Sequence, residues 1–196
     1  MGKVIAAAAM SLDGFIADTS DAAGPLFDWY GNGDVEVTGA DPDRIFDTSA
    51  ATAYYLRGAW ANIGAAVIGR RLFDLTNGWD GRPAIGDAVF VVTHQAPAAW
   101  SHPEAPFTFV TNGLRSAIAQ AKAFAGNRDV SLTAGNLTGQ AIAAGLVDEL
   151  SVSLVPVVFG SGIRFFGDYA GSPLLLDNPQ VVQGDRVTHL HYRARG

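Results

Sequence analysis

The stretch Ala65-Ala66-Val67-Ile68-Gly69-Arg70-Arg71-Leu72-Phe73-Asp74 decides how the rest of the chain is read. Its first four residues are an unbroken apolar run, as expected of a strand buried on both faces. Gly69 follows at once, and a short helix opens near Arg70. The same order recurs on either side. Residues 4–10 form another apolar run, and residues 89–92, 107–110 and 130–133 predict further strands. Ser49 predicts an N-cap for a helix reaching about Asn62, with Ala53, Leu56, Trp60 and Ile63 spaced along one face. Leu114, Ile118, Ala121 and Phe124 predict the apolar stripe of a helix ending near Gly126, and residues 136–144 one stopped by Gly145. Residues 11–33 read as a loop rich in Gly and Asp, with Gly31-Asn32-Gly33 as a turn signal. Val35 and Val37 then alternate with polar residues as a short strand. Residues 150–159 begin as an alternating strand and pass through Pro156, and residues 187–192 alternate as an antiparallel edge strand should.

Repeated strand–helix order predicts an α/β fold with a largely parallel sheet, helices on both faces and an antiparallel C-terminal end. No repeat or linker divides residues 1–196, which read as a single domain. A chain of this length removes about 70% of its unfolded surface from water on folding, enough for a core without metal or disulfide staples. Hydrophobic residues at 48% against 16% charged argue against disorder. A net charge of −6 gives no basic footprint for nucleic acid. Cysteine is absent, which excludes disulfides, thiolate metal sites and cysteine nucleophiles. The apolar run at residues 4–10 is at the short limit for a signal segment, and Asp13-Gly14 stands where a small-residue cleavage site belongs. Residues 130–147 carry no charge but are broken by Gly, Asn and Gln, too polar a stretch to span lipid. The expectation is a soluble, cytoplasmic protein with no membrane or nucleic-acid partner.

Ligands of such sheets gather at the carboxyl ends of the strands, where loops meet helix N-termini. Three junctions there suit phosphate. At Gly69-Arg70-Arg71, free backbone N–H groups and the helix dipole favour an anion, and either arginine can pair with it in bidentate fashion. Arginine opposes the dipole at that end; an anion resolves the conflict, although both side chains also read as solvated first-turn residues. Thr133-Ala134-Gly135-Asn136-Leu137-Thr138 is again strand, Gly-containing turn and helix, without the G-x-G-x-x-G dinucleotide fingerprint. Thr93-His94 ends a strand with a hydroxyl and an imidazole able to meet a 2′-phosphate, or is a plain loop. Asp13 reads as a turn former or a substrate ligand. Asp28 lies beside Phe27, Trp29 and Tyr30, a setting able to raise its pKa for proton donation. His189 and His191 share a strand face but have no clear third ligand, so no metal is expected. No G-x-S-x-G elbow supports a serine hydrolase.

Taken together, these pieces form a familiar pattern. Ser11-Leu12-Asp13-Gly14-Phe15-Ile16-Ala17 after the first strand resembles the opening of the dihydrofolate-reductase-like superfamily. Within it, the chain is most similar to the riboflavin-biosynthesis reductase domain, the C-terminal domain of bacterial bifunctional deaminase-reductases, and its stand-alone relatives. Val67-Ile68-Gly69-Arg70-Arg71-Leu72-Phe73-Asp74 looks like that family's phosphate-binding junction. Gly145-Leu146-Val147-Asp148-Glu149-Leu150 with Pro156-Val157-Val158-Phe159-Gly160-Ser161-Gly162 is similar to its C-terminal signature. Where the family commonly has a Gly pair, this chain has Ala134-Gly135.

The resemblance implies a mixed, mostly parallel sheet of eight or nine strands and an NADPH-dependent reductase of a small heterocyclic substrate. By analogy, Gly69, Arg70 and Arg71 hold the cofactor phosphates, with Thr93 and His94 near the 2′-phosphate. Ala134, Gly135, Asn136, Leu137 and Thr138 lie along the pyrophosphate, and Ile16 and Ala17 close over the nicotinamide. The substrate is then a 5-amino-6-(5-phosphoribosylamino)uracil-like or dihydrofolate-like compound reduced at C=N or C=O, with Asp13 orienting it and Asp28 donating the proton or anchoring a pterin-type ring. Absence of cysteine and a start at the reductase's first strand imply a stand-alone member, and relatives are often homodimers. Two alternatives are a non-catalytic NADPH-binding protein and a flavin-binding protein that stacks isoalloxazine on Trp29 or Tyr30.

Overall fold

The computed structural model describes residues 2–195. Chain order runs β1 (Val4–Ser11), β2 (Phe15–Ala17), a 3-10 helix (Gly24–Gly31), β3 (Val35–Thr38), β4 (Ile45–Thr48), α1 (Ala50–Ala61), β5 (Ile63–Gly69), α2 (Arg70–Asp80), β6 (Ala88–Val92), β7 (Phe107–Val110), α3 (Leu114–Ala125), β8 (Asp129–Thr133), α4 (Asn136–Ala143), β9 (Glu149–Val155), β10 (Ile163–Arg164), β11 (Gln180–Gln183) and β12 (Thr188–Arg193). Eight of these strands make one sheet in the order β11–β12–β9–β1–β8–β5–β6–β7. From β9 to β7 every pairing is parallel, while β12 is antiparallel to β9 and β11 to β12. The α/β sheet expected from the sequence is present, with eight strands and an antiparallel C-terminal end.

The two faces of the sheet are finished differently. On one face α3 and α4 cover a continuous apolar layer that includes Val4, Ala6, Val67, Phe90, Val130, Leu132 and Leu150. The opposite face carries two separate apolar clusters. One lies under α2 and joins Ala66, Ile68, Phe73, Val89 and Val91. The other lies under α1 and the 3-10 helix, around Ala9, Leu26, Trp29, Leu56 and Val155. Between the clusters the same face of β1, β8 and β9 presents Ala7, Ser131, Thr133 and Ser151, side chains too small to fill the space beneath the helices.

Local signals account for the helix boundaries. Ser49 caps α1, its hydroxyl accepting from the Thr52 N–H, and Gly126 at φ 66° stops α3. Proline arrests β9 at Val155, one residue before Pro156, so the strand is shorter than its alternation predicts. Ile63 begins β5 instead of extending the α1 face, and on α3 Ala125 is buried while Phe124 is exposed. α2 finishes in a left-handed turn at Asn77, Gly78, Trp79 and Asp80.

Two expectations fail, for different reasons. The loop of residues 11–33 contains β2, which pairs with β10, and the 3-10 helix. β2 is only three residues long and its partner lies about 150 residues away, so no local signal joins them. β12 is not an edge strand, because β11 covers it through a hairpin whose turn begins Gly184-Asp185; β11 itself, Gln-Val-Val-Gln, has no alternation to mark it.

Candidate active-site cleft

The gap between the two apolar clusters is a cleft of about 1300 Å³ that opens at the carboxyl ends of the central strands and runs back along the sheet face to their amino ends, at Ile63, Asp129 and Glu149. One end is built from helix N-termini. Gly69, Gly113 and Gly135 precede α2, α3 and α4, and none of those helices has a side-chain cap. All three glycines line the cleft. α1 alone is capped by a side chain, from Ser49, which is not part of the cleft lining. Uncapped first-turn N–H groups keep their donors for a ligand, and the helix dipoles favour an anion there.

Gly135 sits at φ 98° and ψ −151°, a region open almost only to glycine. Ala134 beside it needs no positive φ, so the alanine in this chain is compatible with the turn. A Cβ added at Gly69 would meet nothing closer than Leu137 Cδ1 at 3.6 Å, so the backbone there lies open to the cleft.

Arg70 and Arg71 flank this end in different ways. Arg70 donates from Nε to Asp74 Oδ1 and from Nη1 to the Gln95 carbonyl, both at 2.7 Å, which ties α2 to the loop after β6. Arg71 reaches across to Asp21 Oδ2 at 2.5 Å and stays two-thirds exposed. His94 is exposed at the rim, while the Thr93 hydroxyl is engaged with the Gln95 backbone. Arg164 joins the same end: it pairs with Phe15 across β2–β10, and the next carbonyl, Phe165, accepts from the Gly135 N–H at 2.7 Å. Ile16 and Ala17 complete the lining on β2.

The other end has aromatic walls and a hydroxyl-bearing floor. Side chains three apart eclipse in a 3-10 helix. Leu26 and Trp29 therefore face the core, Phe27 and Tyr30 stack at 5.7 Å and line the cleft, and Asp28 points to solvent. On the floor, Ser131, Ile5 and Glu149 form one cross-strand row, and Thr133, Ala7, Ser151 and His191 the next. The Tyr55 and Ser151 hydroxyls hydrogen-bond at 2.7 Å, and the Ser131 hydroxyl has no partner among the described residues. Burial pushes the Tyr30 and Tyr55 phenols up, so both keep their protons. Glu149 accepts from Lys3 Nζ at 2.6 Å and meets His191 Nε2 at 2.8 Å. Burial raises its pKa, but these two partners together hold the carboxyl below the usual range. His189 is buried between Ser153 and Thr52, and burial lowers its imidazole to about 4.

Of the residues singled out by sequence, Ile16, Ala17, Gly69, Arg70, Arg71, Thr93, His94, Ala134, Gly135, Asn136 and Leu137 all line this one cleft. Thr138 does not: it is buried and donates to the Thr133 carbonyl, holding the β8–α4 turn. Gly135 occupies the N-cap position of α4, and the Asn136 amide oxygen accepts from the Asp168 N–H. Asp13 and Asp28 are both exposed and away from the cleft lining. The Asp13 carboxylate takes the Ser11 hydroxyl and the Phe159 and Gly160 N–H groups, which makes it a clamp on the end of β1; the Ser11 bond leads in holding its pKa down. Asp28 faces outward for the periodicity reason given above, so it cannot pass a proton to a ligand in the cleft.

Sequence reading missed Gly113, Arg164, Tyr55, Ser131 and Ser151. The two serines were within reach: a polar alternation in the central strands of a parallel sheet marks a face that is not packed.

Comparison with known proteins gives a family and a fold. The RibD C-terminal domain model matches residues 2–189. No curated protein sequence matches the chain. A Shewanella sp. PV-4 protein ascribed to riboflavin biosynthesis superposes with a TM-score of 0.72 at 22% identity, over 99% of each chain. The Thermotoga maritima diaminohydroxyphosphoribosylaminopyrimidine deaminase/5-amino-6-(5-phosphoribosylamino)uracil reductase gives 0.61 at 14% identity. That match covers 99% of this chain but only 57% of the other, so the chain spans a little over half its length. Enterococcus faecalis dihydrofolate reductase, solved with NADP(H), gives 0.60 at 17% identity over 100% of this chain and 98% of the other. At these identities the likeness establishes the fold, which is dihydrofolate-reductase-like.

Proposed function

Because the chain belongs to the RibD C-terminal domain family, we propose that it is an NADPH-dependent reductase of a small heterocyclic substrate. One observation carries the reading: three glycine-led, uncapped helix N-termini open into a single cleft beside Arg70, Arg71 and Arg164. That donor set suits a dinucleotide bearing several phosphates. The first turns of α2 and α4 would hold phosphate oxygens, with Arg71 exchanging Asp21 for the ligand. Ile16 and Ala17 would cover the nicotinamide against the alanine floor of β1.

Bound NADPH would supply a hydride to the carbon of a C=N or C=O, the displaced π pair taking up a proton at the heteroatom. The chain's own part is to hold the ring over Ala7, to exclude water with the walls of Phe27 and Tyr30, and to present hydroxyl donors from Tyr55 and Ser151 to the substrate's heteroatoms. The flavin alternative is weaker. Tyr30 already stacks on both Trp29 at 4.0 Å and Phe46 at 4.2 Å, and Trp29 is buried, so neither ring has a face free for isoalloxazine.

Titration of nucleotide-free protein with NADPH and NADH, followed by nicotinamide fluorescence, tests the reading. Micromolar NADPH binding with at least about tenfold weaker NADH is expected from the phosphate-directed arginines. Binding of neither by folded protein ends it. A homodimer is the assembly proposed with this reading, checked by sedimentation velocity.

A further inference from the structure

The cationic side chains that line the cleft are unevenly divided. Arg70, Arg71 and Arg164 all stand at the end formed by the helix N-termini. At the far end, among the described residues, no lysine or arginine lines the cleft; the ionisable groups there are Asp129, Glu149 and His191. The cations behind that floor are already engaged. Lys3 binds Glu149 through Nζ and Asp129 through its backbone N–H, and Arg193 Nε stands 3.5 Å from Glu149. His191 meets the same carboxylate. The surfaces left for a ligand are the rings of Phe27 and Trp60, the edge of Tyr30, whose faces are taken by Trp29 and Phe46, and the hydroxyls of Tyr55, Ser131 and Ser151.

We propose that the far half of the cleft takes a planar heterocycle that is uncharged or cationic and carries no phosphate ester. This rests on the reductase reading of the cleft and goes beyond it in naming the substrate class. The compound named for the Thermotoga maritima reductase carries a phosphoribosyl group. Such a phosphate, placed on this floor, would lose its water shell beside two carboxylates and find no free cation to replace it. A phosphate-free ring instead gains stacking area on the walls and hydrogen bonds from neutral hydroxyls, which recognise carbonyl and amino edges without a charge.

The test compares three probes by quenching of tryptophan fluorescence: 5-amino-6-(ribosylamino)uracil, its 5′-phosphate, and unsubstituted pterin. Each is titrated into the full chain with and without NADP⁺. At least one phosphate-free probe is expected to bind about tenfold or more tighter than the phosphate ester, a difference of about 1.4 kcal/mol. Equal or tighter binding of the ester, or failure of both phosphate-free probes to bind, overturns the proposal. Ser131→Lys places a cation on the floor and is expected to improve binding of the ester at least threefold while NADPH affinity stays the same. No gain in that variant removes the missing cation as the cause and overturns the argument. Because the readout is binding and not turnover, failure of the reductase reading appears separately, as loss of NADPH binding.

Discussion

The two ends of the cleft are built differently although they share one sheet face. At the end proposed for phosphate the backbone would do the recognising: glycines leave helix N-termini uncapped and arginines stand at the rim. At the far end side chains would do it, with aromatic walls over a floor of serines and alanines. A site built from backbone is fixed by the fold and tolerates few changes in conformation. A site built from side chains can change its ligand without disturbing the sheet, and this is where family members would diverge in substrate.

The most severe way to break the contrast is at the glycines. Gly135→Ala is expected to cost about 1–3 kcal/mol of stability, because alanine cannot sit at φ 98° without strain. Gly69→Ala, with an ordinary φ and room for a methyl, should leave urea stability within about 0.5 kcal/mol yet weaken NADPH binding. Equal destabilisation of both would show that the two junctions are not built differently.

Acid should act next, through a buried histidine packed against Tyr55 of the far end. Burial lowers His189 from 6.5 to about 4, so between those values the unfolded chain takes up a proton that the folded protein refuses. Stability is complete above pH 6.5 and falls as the pH drops toward 4. The loss should be about 2 kcal/mol, less than the full shift implies because water in the neighbouring cleft screens the charge. Urea melts of wild type and His189→Gln across that range check it, and the variant's slope should be flatter.

Arg71→Gln removes the least committed of the phosphate-end cations. About tenfold weaker NADPH binding and little change for NADH are expected. Tyr55→Phe cuts the bond to Ser151 and should lower kcat/KM for any substrate about fivefold, roughly 1 kcal/mol, with NADPH affinity unmoved. Smallest of all, Asp28→Asn should leave both cofactor binding and turnover within about twofold, since its carboxylate faces solvent. A larger loss would mean that the 3-10 helix turns toward the cleft when substrate binds.

Much of the phosphate end was legible because its signals are local. A strand running into glycine and then a helix is read from a few consecutive residues, and at Gly69 and Gly135 that reading located the cleft. Gly113 escaped because apolar Leu114 follows it directly, so the junction reads as an ordinary helix start. Arg164 escaped because its place beside Gly135 depends on pairing between β2 and β10, which are about 150 residues apart. Asp28 was misplaced because an aromatic neighbourhood in sequence says nothing about which of three helix faces points inward.

By itself, then, the sequence determined the alternation of strands and helices, the signals that start α1 at Ser49 and stop α3 at Gly126, and the chemistry available at the strand ends. These follow from backbone preferences and apolar spacing over a few residues. Only the tertiary structure decided which strands lie side by side, and with that the floor on which Ser131, Ala7 and Ser151 stand together. Those residues belong to three strands, and Ala7 precedes the two serines by more than 120 residues. Their meeting is the result of burying one apolar face against α3 and α4, which leaves the opposite face to be filled by whatever the cleft binds.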